Sequence, residues 1–236
     1  MNRQNFFIFG DHNSSEFGLH ISGGGTFNAP SRDIETIEIP GRNGSLLIDK
    51  GRFFDITVEY PAFITRDFID NARSARLWLL SHSGYQRLED TYDPYFFRMA
   101  RFSGPLDFDT KFLNWTAECT LSFVAKPQRW LKDGERTITL ESGDTLYNAY
   151  YPALPLITVY GNGPGILMIG SYTVTVNSLD QSLVIDCDTQ NAYKGTMNKN
   201  NTISTNPFPK LESGDNVVSW SGGITGVEIV PRWWTI

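Results

Sequence analysis

Two stretches of period-two alternation constrain the fold more than any other feature of this chain. In Thr116–Ala125, Ala117, Cys119, Leu121 and Phe123 alternate with Thr116, Glu118, Thr120 and Ser122. In Gly51–Tyr60, Phe54, Ile56, Val58 and Tyr60 alternate with Asp55, Thr57 and Glu59. Successive strand residues point to opposite faces, so this pattern predicts antiparallel sheet with one face buried and one in water. The chain also has 21 Gly and 12 Pro among 236 residues, which predicts many turns and few long helices.

Further strands are expected along the first half. Ile34–Ile39 and Ser45–Ile48 flank Pro40-Gly41-Arg42-Asn43-Gly44, where the Asn-Gly pair favours the positive φ of a tight hairpin. Phe96–Phe102 reads as another strand. One segment breaks the β pattern: between Thr65 and His82, residues Phe68, Ile69, Ala72, Arg76, Leu79 and Leu80 recur at helical spacing. A helix over about 65–83 is predicted, with Thr65 as N-cap, Asp67 in the first turn and Gly84 just past the end. Pro61 is expected to end the strand before it.

Composition changes after Lys126-Pro127-Gln128-Arg129-Trp130. Residues 1–133 hold 15 basic and 17 acidic residues, and residues 134–236 hold 5 and 9. Short strands then recur at Thr137–Leu140, Leu156–Tyr160, Gly165–Ile169, Tyr172–Val176, Leu183–Cys187, Val217–Trp220 and Val227–Val230. Gly161-Asn162-Gly163-Pro164-Gly165 reads as a β-turn between two of them, and the polar stretch Asp188–Asn206 as a loop. The pattern is that of an antiparallel sandwich or jelly roll, so two domains are expected, 1–133 and 134–236, meeting near Asp133-Gly134. The aromatic-rich end, Val227–Ile236, is expected to return to the first domain.

The chemistry expected from the residues is sparse. The net charge of −6 argues against a protein built to grip nucleic acid, whose affinity rests on phosphate neutralisation. The N-terminal residues lack the apolar core and small-residue cleavage site of a secretory signal, and no run of 18 apolar residues suits a membrane span. Cys119 and Cys187 read as reduced core thiols. The three histidines, His12, His20 and His82, read as surface or helix-end residues. Gly23-Gly24-Gly25 reads as a connector, and the glycine run at 161–165 lacks the Lys and the helix of a phosphate loop. No H-E-x-x-H, C-x-x-C pair or G-x-S-x-G is present, so no catalytic, cofactor-binding or metal-ligating residue is assigned.

Several longer motifs, in order, carry a resemblance to a family. They are Ile39-Pro40-Gly41-Arg42-Asn43-Gly44-Ser45, Gly51-Arg52-Phe53, Phe123-Val124-Ala125-Lys126-Pro127-Gln128-Arg129-Trp130, and Pro152-Ala153-Leu154-Pro155-Leu156 running on to Gly163. Phe208-Pro209-Lys210-Leu211-Glu212-Ser213-Gly214-Asp215-Asn216, Trp220-Ser221-Gly222-Gly223 and Pro231-Arg232-Trp233-Trp234 follow. Over nearly the whole chain the sequence resembles the distal tail protein (Dit) family of long, non-contractile-tailed bacteriophages and prophages. The resemblance implies a mainly β fold: a ring-forming N-terminal β domain with one α-helix, then a C-terminal galectin-like antiparallel β-sandwich. It implies a non-enzymatic virion component of the tail tip, assembled in the bacterial host cytoplasm. A homohexameric ring would join the tail tube protein to the tail-associated tip protein and anchor receptor-binding or baseplate proteins, with DNA only in transit through its channel. No cofactor and no membrane insertion are implied.

The hairpin at Arg42, Asn43 and Gly44, with the strand after it, is expected to lie near the subunit contacts. The N-terminal half holds 11 of the 13 arginines, a residue type favoured at interfaces because its planar fork pairs with carboxylates. A second reading is a monomeric carbohydrate-binding module that adheres to cell-wall polysaccharide through Tyr193 and Trp220, whose rings would stack on sugars. A third is a glycan hydrolase using the carboxylate pairs Asp186/Asp188 or Asp107/Asp109, each of which would share a strand face.

Overall fold

The computed structural model describes residues 5–23, 28–111 and 115–236. The chain forms two compact units, Met1–Arg129 with Ile236 and Trp130–Thr235, dividing just ahead of Asp133-Gly134. It is mainly β, with one α-helix and two large antiparallel sheets among the described residues.

The first unit contains β1 (Phe7–Phe9), β2 (His12–Asn13), β3 (Leu19–Ile21), β4 (Arg32–Glu38), β5 (Ser45–Phe53) and β6 (Ile56–Ile64). The helix α1 (Phe68–Ser81), β7 (Gln86–Asp90), β8 (Phe96–Phe102), β9 (Asp109–Lys111) and β10 (Thr116–Ala125) complete it. The main sheet runs β2-β1-β7-β8-β10-β6-β3, with β9 also paired to β10. Its centre is the β10–β6 ladder, from Ala117 opposite Ile64 to Ala125 opposite Ile56. The alternation there does what its period demands: Ala117, Leu121, Phe123, Ile56, Val58 and Tyr60 are buried.

Aromatic packing joins sheet to helix. Phe7 stacks between Tyr60 (5.7 Å) and Trp78 (5.5 Å), and Phe9 lies 5.2 Å from Phe123. The Trp78 indole N–H donates to the Phe9 carbonyl at 3.2 Å, satisfying the polar atom of a buried ring. Burying Trp78 sets the helix's rotation. Ala72, Ala75 and Leu79 turn inward with it, whereas Ile69 and Leu80, expected on the inner stripe, are exposed.

Other local expectations are corrected. The helix starts at Phe68 rather than Thr65; its cap is Asp67, in the left-handed region (φ 46°) with no side-chain cap bond, and it closes at His82. Pro61 lies inside β6 instead of ending it. The Pro61 carbonyl accepts from Ser22 N–H at 2.7 Å, so its missing N–H faces the side where the β3 ladder has already ended, and no bond to β10 is lost. Phe54 falls between β5 and β6 and is exposed, so the alternating run is two strands.

The second unit begins within β11 (Arg129–Leu131) and continues through β12 (Ile138–Leu140), β13 (Thr145–Asn148), β14 (Leu156–Ile169), β15 (Tyr172–Val176) and β16 (Asp180–Asp186). Then come β17 (Asn191–Lys194), β18 (Met197–Asn198), β19 (Ile203–Ser204), β20 (Gly214–Val230) and β21 (Trp234–Thr235). The expected loop Asp188–Asn206 thus contains three short strands.

The expected turn at Gly161–Gly165 is also corrected, because β14 runs through it. So does its neighbour β20, which unites the two expected strands Val217–Trp220 and Val227–Val230. Gly161 pairs with Ile224 and Gly165 with Gly222, leaving Asn162–Pro164 opposite the single residue Gly223. Such an excess is a bulge, and it bends the strand. A Cβ on Gly161 would sit 2.0 Å from the Gly223 carbonyl oxygen, and one on Gly223 would sit 2.0 Å from that of Asn162. Only glycine lets the backbones meet so closely. On one side of the bend β14 pairs with β16, on the other with β15, and both halves turn the same face inward. Ile157, Val159, Leu167 and Ile169 therefore share one core with Val174, Leu183, Ile185, Val218 and Val227. The bent pair makes both layers of a β-sandwich.

Candidate functional site

The hairpin β4–β5 is a two-stranded sheet of its own, joined to neither large sheet. Register runs from Glu38 opposite Ser45 to Arg32 opposite Phe53, with a bulge between Arg32 and Ile34. The connection spans residues 39–44, so it is longer than the expected tight turn, and the positive φ values fall at Gly41 (80°) and Gly44 (83°) rather than at Asn43. Arg42, Asn43 and Gly44 are exposed at its tip.

A lone hairpin is marginally stable in water, so what holds this one matters. Its half nearest the sheet is an ion-pair ladder: Arg32 to Asp49 at 2.8 Å, Arg52 to Asp33 at 2.6 Å, and Lys50 to Glu35. Arg32 also lies over the Phe53 ring at 4.8 Å, and Arg52 over Phe54 at 5.9 Å. Asp49 is held below the usual carboxylate range, first by the Gly51 N–H at 2.8 Å and then by Arg32. At the hairpin's base the Tyr85 hydroxyl donates to Asp55 at 2.9 Å.

The half near the tip is different. Ile37, Ile39, Leu46 and Ile48 lie on one face and Leu47 on the other, all exposed, Leu47 at 64%; Ile34 shares Leu47's face but lies lower, opposite Asp49. An exposed aliphatic cluster of this kind is a candidate binding surface. Sequence reading expected the contact at Arg42–Gly44 and the strand after it; the exposed aliphatic side chains lie on that strand and on the one before the loop. The signal was available in Leu46-Leu47-Ile48, three consecutive aliphatics that no half-buried strand would need.

The remaining candidates are not gathered into one site. Tyr193 pairs across from the half-buried Val184, on the outer face of the β16–β17 layer. Trp220 pairs with buried Leu167 and packs on the core from the other layer. The two rings share neither layer nor face, so they do not form one sugar platform. Asp186 is tied to Arg232 at 2.7 Å and accepts from Asp188 N–H at 3.1 Å. Burial alone would raise its pKa, but the Arg232 guanidinium holds it below the usual range, as suits a structural ion pair. Asp107 and Asp109 are exposed beside Phe108.

His12 pairs with Glu16 at 3.0 Å, and His82 lies edge-on to Phe9 at 5.5 Å. Beside His20, burial lowers the imidazole pKa, and Phe63 is 5.7 Å away. Both cysteines are free, and burial pushes each thiol up to about 12. Of the glycine connector, Gly24 and Gly25 lie outside the described residues. Among the described residues no three His, Cys, Asp or Glu are placed to hold a metal ion, and no helix is long and apolar enough to cross a membrane.

A cavity of about 150 Å³ in the first unit escaped sequence reading. It is lined by Tyr60, Asp90, Tyr92, Arg98 and Arg129 among others. The Tyr60 hydroxyl donates to Asp90 at 2.6 Å, and Asp90 also accepts from the backbone of Tyr92 and Asp93. Burial, reinforced by Asp90, raises the Tyr60 pKa well above normal, which removes it as a base or nucleophile near neutral pH. Arg98 donates to the Pro127 carbonyl at 3.2 Å. Tyr92 donates to the Ser22 carbonyl at 2.7 Å and Arg129 pairs with Asp93, so each of these groups has a partner and the cluster reads as a brace within the core.

The fold and the uncovered hairpin define a class: a two-unit β protein with one helix among the described residues and an exposed aliphatic hairpin. Solved structures narrow it. The crystal structure of Dit (gp 19.1) of phage SPP1, described as a paradigm of the hub adsorption apparatus in phages infecting Gram-positive hosts, superposes with a TM-score of 0.73. The match covers 98% of this chain and 99% of that one, at 11% identity. Chains of the phage p2 baseplate in its activated conformation, with Sr and with Ca, match at a TM-score of 0.52 and 9% identity. They cover 95% and 97% of this chain, and 97% and 98% of their own. No protein-family model and no curated protein matches the sequence. The chain carries the Dit fold from end to end.

Proposed function

We propose that the chain is a virion structural protein: a distal tail hub that forms a homohexameric ring between the tail tube and the tail tip, anchors adsorption or baseplate proteins, and leaves a central channel for DNA. The observation that carries this reading is the match to SPP1 Dit, which covers 98% of this chain and 99% of that one. The bare hairpin supports it, because an exposed apolar ribbon is a liability unless a neighbour covers it. Residues 1–133 would form the ring and residues 134–236 a peripheral sandwich, with Ile236 alone grouped with the first unit. Arg42, Asn43 and Gly44, at the hairpin tip, would lie near the subunit contacts. The reading as a monomeric sugar-binding module loses ground because Tyr193 and Trp220 face apart.

Light scattering on the purified chain, followed by negative-stain images, tests the proposal. Six-fold annular particles are the expected result, alone or on co-expression with the adjoining tail proteins. A monomer under both conditions would overturn it, and measurable affinity for wall polysaccharide would then favour the sugar-binding reading.

A further inference from the structure

Helix α1 carries a second uncovered surface. At ~100° per residue, Ile69, Arg73, Arg76, Leu77 and Leu80 fall within an arc of about 100°, on the side away from buried Trp78. Ile69, Leu77 and Leu80 are 58%, 71% and 65% exposed. A helix that needed only to be soluble would carry polar residues at these positions. Around the small side chain of Ala72 the stripe opens into a shallow groove of about 390 Å³, lined by Phe68, Ile69, Arg73, Arg76 and Leu77.

We propose that this groove seats the tip half of the β4–β5 hairpin of a second copy of the chain, with Leu47 as the central knob. The inference rests on the hub reading and names the acceptor for its hairpin. Three observations support it. The dimensions agree: the tip half of the hairpin, where Leu47 shares its face with Thr36, Glu38 and Ser45, is four residues long, about 13 Å at strand rise, and the stripe from Ile69 to Leu80 is about 16 Å at helical rise.

The charges also agree. Arg32, Lys50 and Arg52 are already paired within the hairpin's lower half, which leaves Glu38 as the carboxylate on Leu47's face of the tip half. It would meet a stripe carrying Arg73 and Arg76. Arg73 has only a solvent-exposed contact with Asp70 at 3.3 Å, and Arg76 lies over Phe108 at 5.6 Å. The hairpin's other exposed cation, Arg42, sits beyond the strands in the tip loop.

Finally, every copy has one hairpin to offer and one groove to fill. Such a head-to-tail contact repeats until a ring closes. In a closed ring every copy makes two such contacts, so closure rather than dimerisation is what would hold the assembly.

The test is disulfide trapping between differently tagged full-length chains, one Leu47→Cys and the other Leu77→Cys, co-expressed and mildly oxidised. Both positions are exposed, and Cys119 and Cys187 are common to every combination. About tenfold more interchain disulfide is expected than for Leu47→Cys with Val217→Cys, a control on the second unit. Rings of normal mass with no such excess would overturn the seat and leave the hub reading standing; monomers throughout would end both. In a second variant, Leu77→Asp, loss of assembly at unchanged melting temperature is expected. Normal assembly of that variant would also overturn the seat.

Discussion

The hairpin β4–β5 and the bent pair β14–β20 are both long antiparallel ribbons with aliphatic side chains, yet one ends in water and the other makes a core. The difference lies in the glycines. In β14–β20, Gly161, Gly165, Gly222 and Gly223 let two backbones close to contact, so the ribbon folds over and encloses its own apolar face. In β4–β5 the glycines sit in the loop, at Gly41 and Gly44, or at Gly51 near the base, with open space around them. The hairpin cannot fold over, so ion pairs hold its lower half and its aliphatic tip is left for another surface. A ribbon that covers itself builds a domain, and one that cannot is suited to building an assembly.

The comparison breaks first at the glycines. Gly161→Val should destabilise the second unit by more than about 4 kcal/mol, since its side chain would collide with the Gly223 carbonyl. Gly41→Ala, in open space with φ +80°, should cost only about 1 kcal/mol through backbone strain. Urea denaturation of both variants checks the contrast. Next, Leu167→Ala in the sandwich core should lose about 3 kcal/mol, and near-native stability would mean that the two halves of β14 do not share a core.

Asp186→Asn should cost about 2 kcal/mol by leaving Arg232 unpaired. Because the folded state lowers the Asp186 pKa, its contribution is full above the unfolded value of about 4 and fades as pH falls through the folded one. Acid titration of the wild type and D186N should therefore converge below about pH 4. Smallest of all, Leu47→Ala should leave monomer stability within about 0.5 kcal/mol, because Leu47 lies mostly in water, while weakening assembly measured by light scattering.

Reading the sequence located the strands Thr116–Ala125, Phe96–Phe102 and Tyr172–Val176 to the residue, because their alternation and flanking breaks are local signals. It misplaced the inner face of α1. Ile69 and Leu80 are as apolar as Leu79, and nothing local says that Trp78 will stack on Phe7 and set the rotation. It also divided β14 at its glycines, since a run of glycine and proline looks alike whether it turns or is crossed by another strand. Of the candidate surface, the hairpin was legible from two strands around a glycine loop, whereas the helical groove was not.

The residues by themselves thus determined the β class, the single helix and the change of character between the halves, all of which follow from side-chain periodicity and backbone preference along a few neighbours. Only tertiary structure decided which apolar side chains face inward and which remain uncovered. Burial is a property of pairs of segments far apart in the chain, and no local window contains both members.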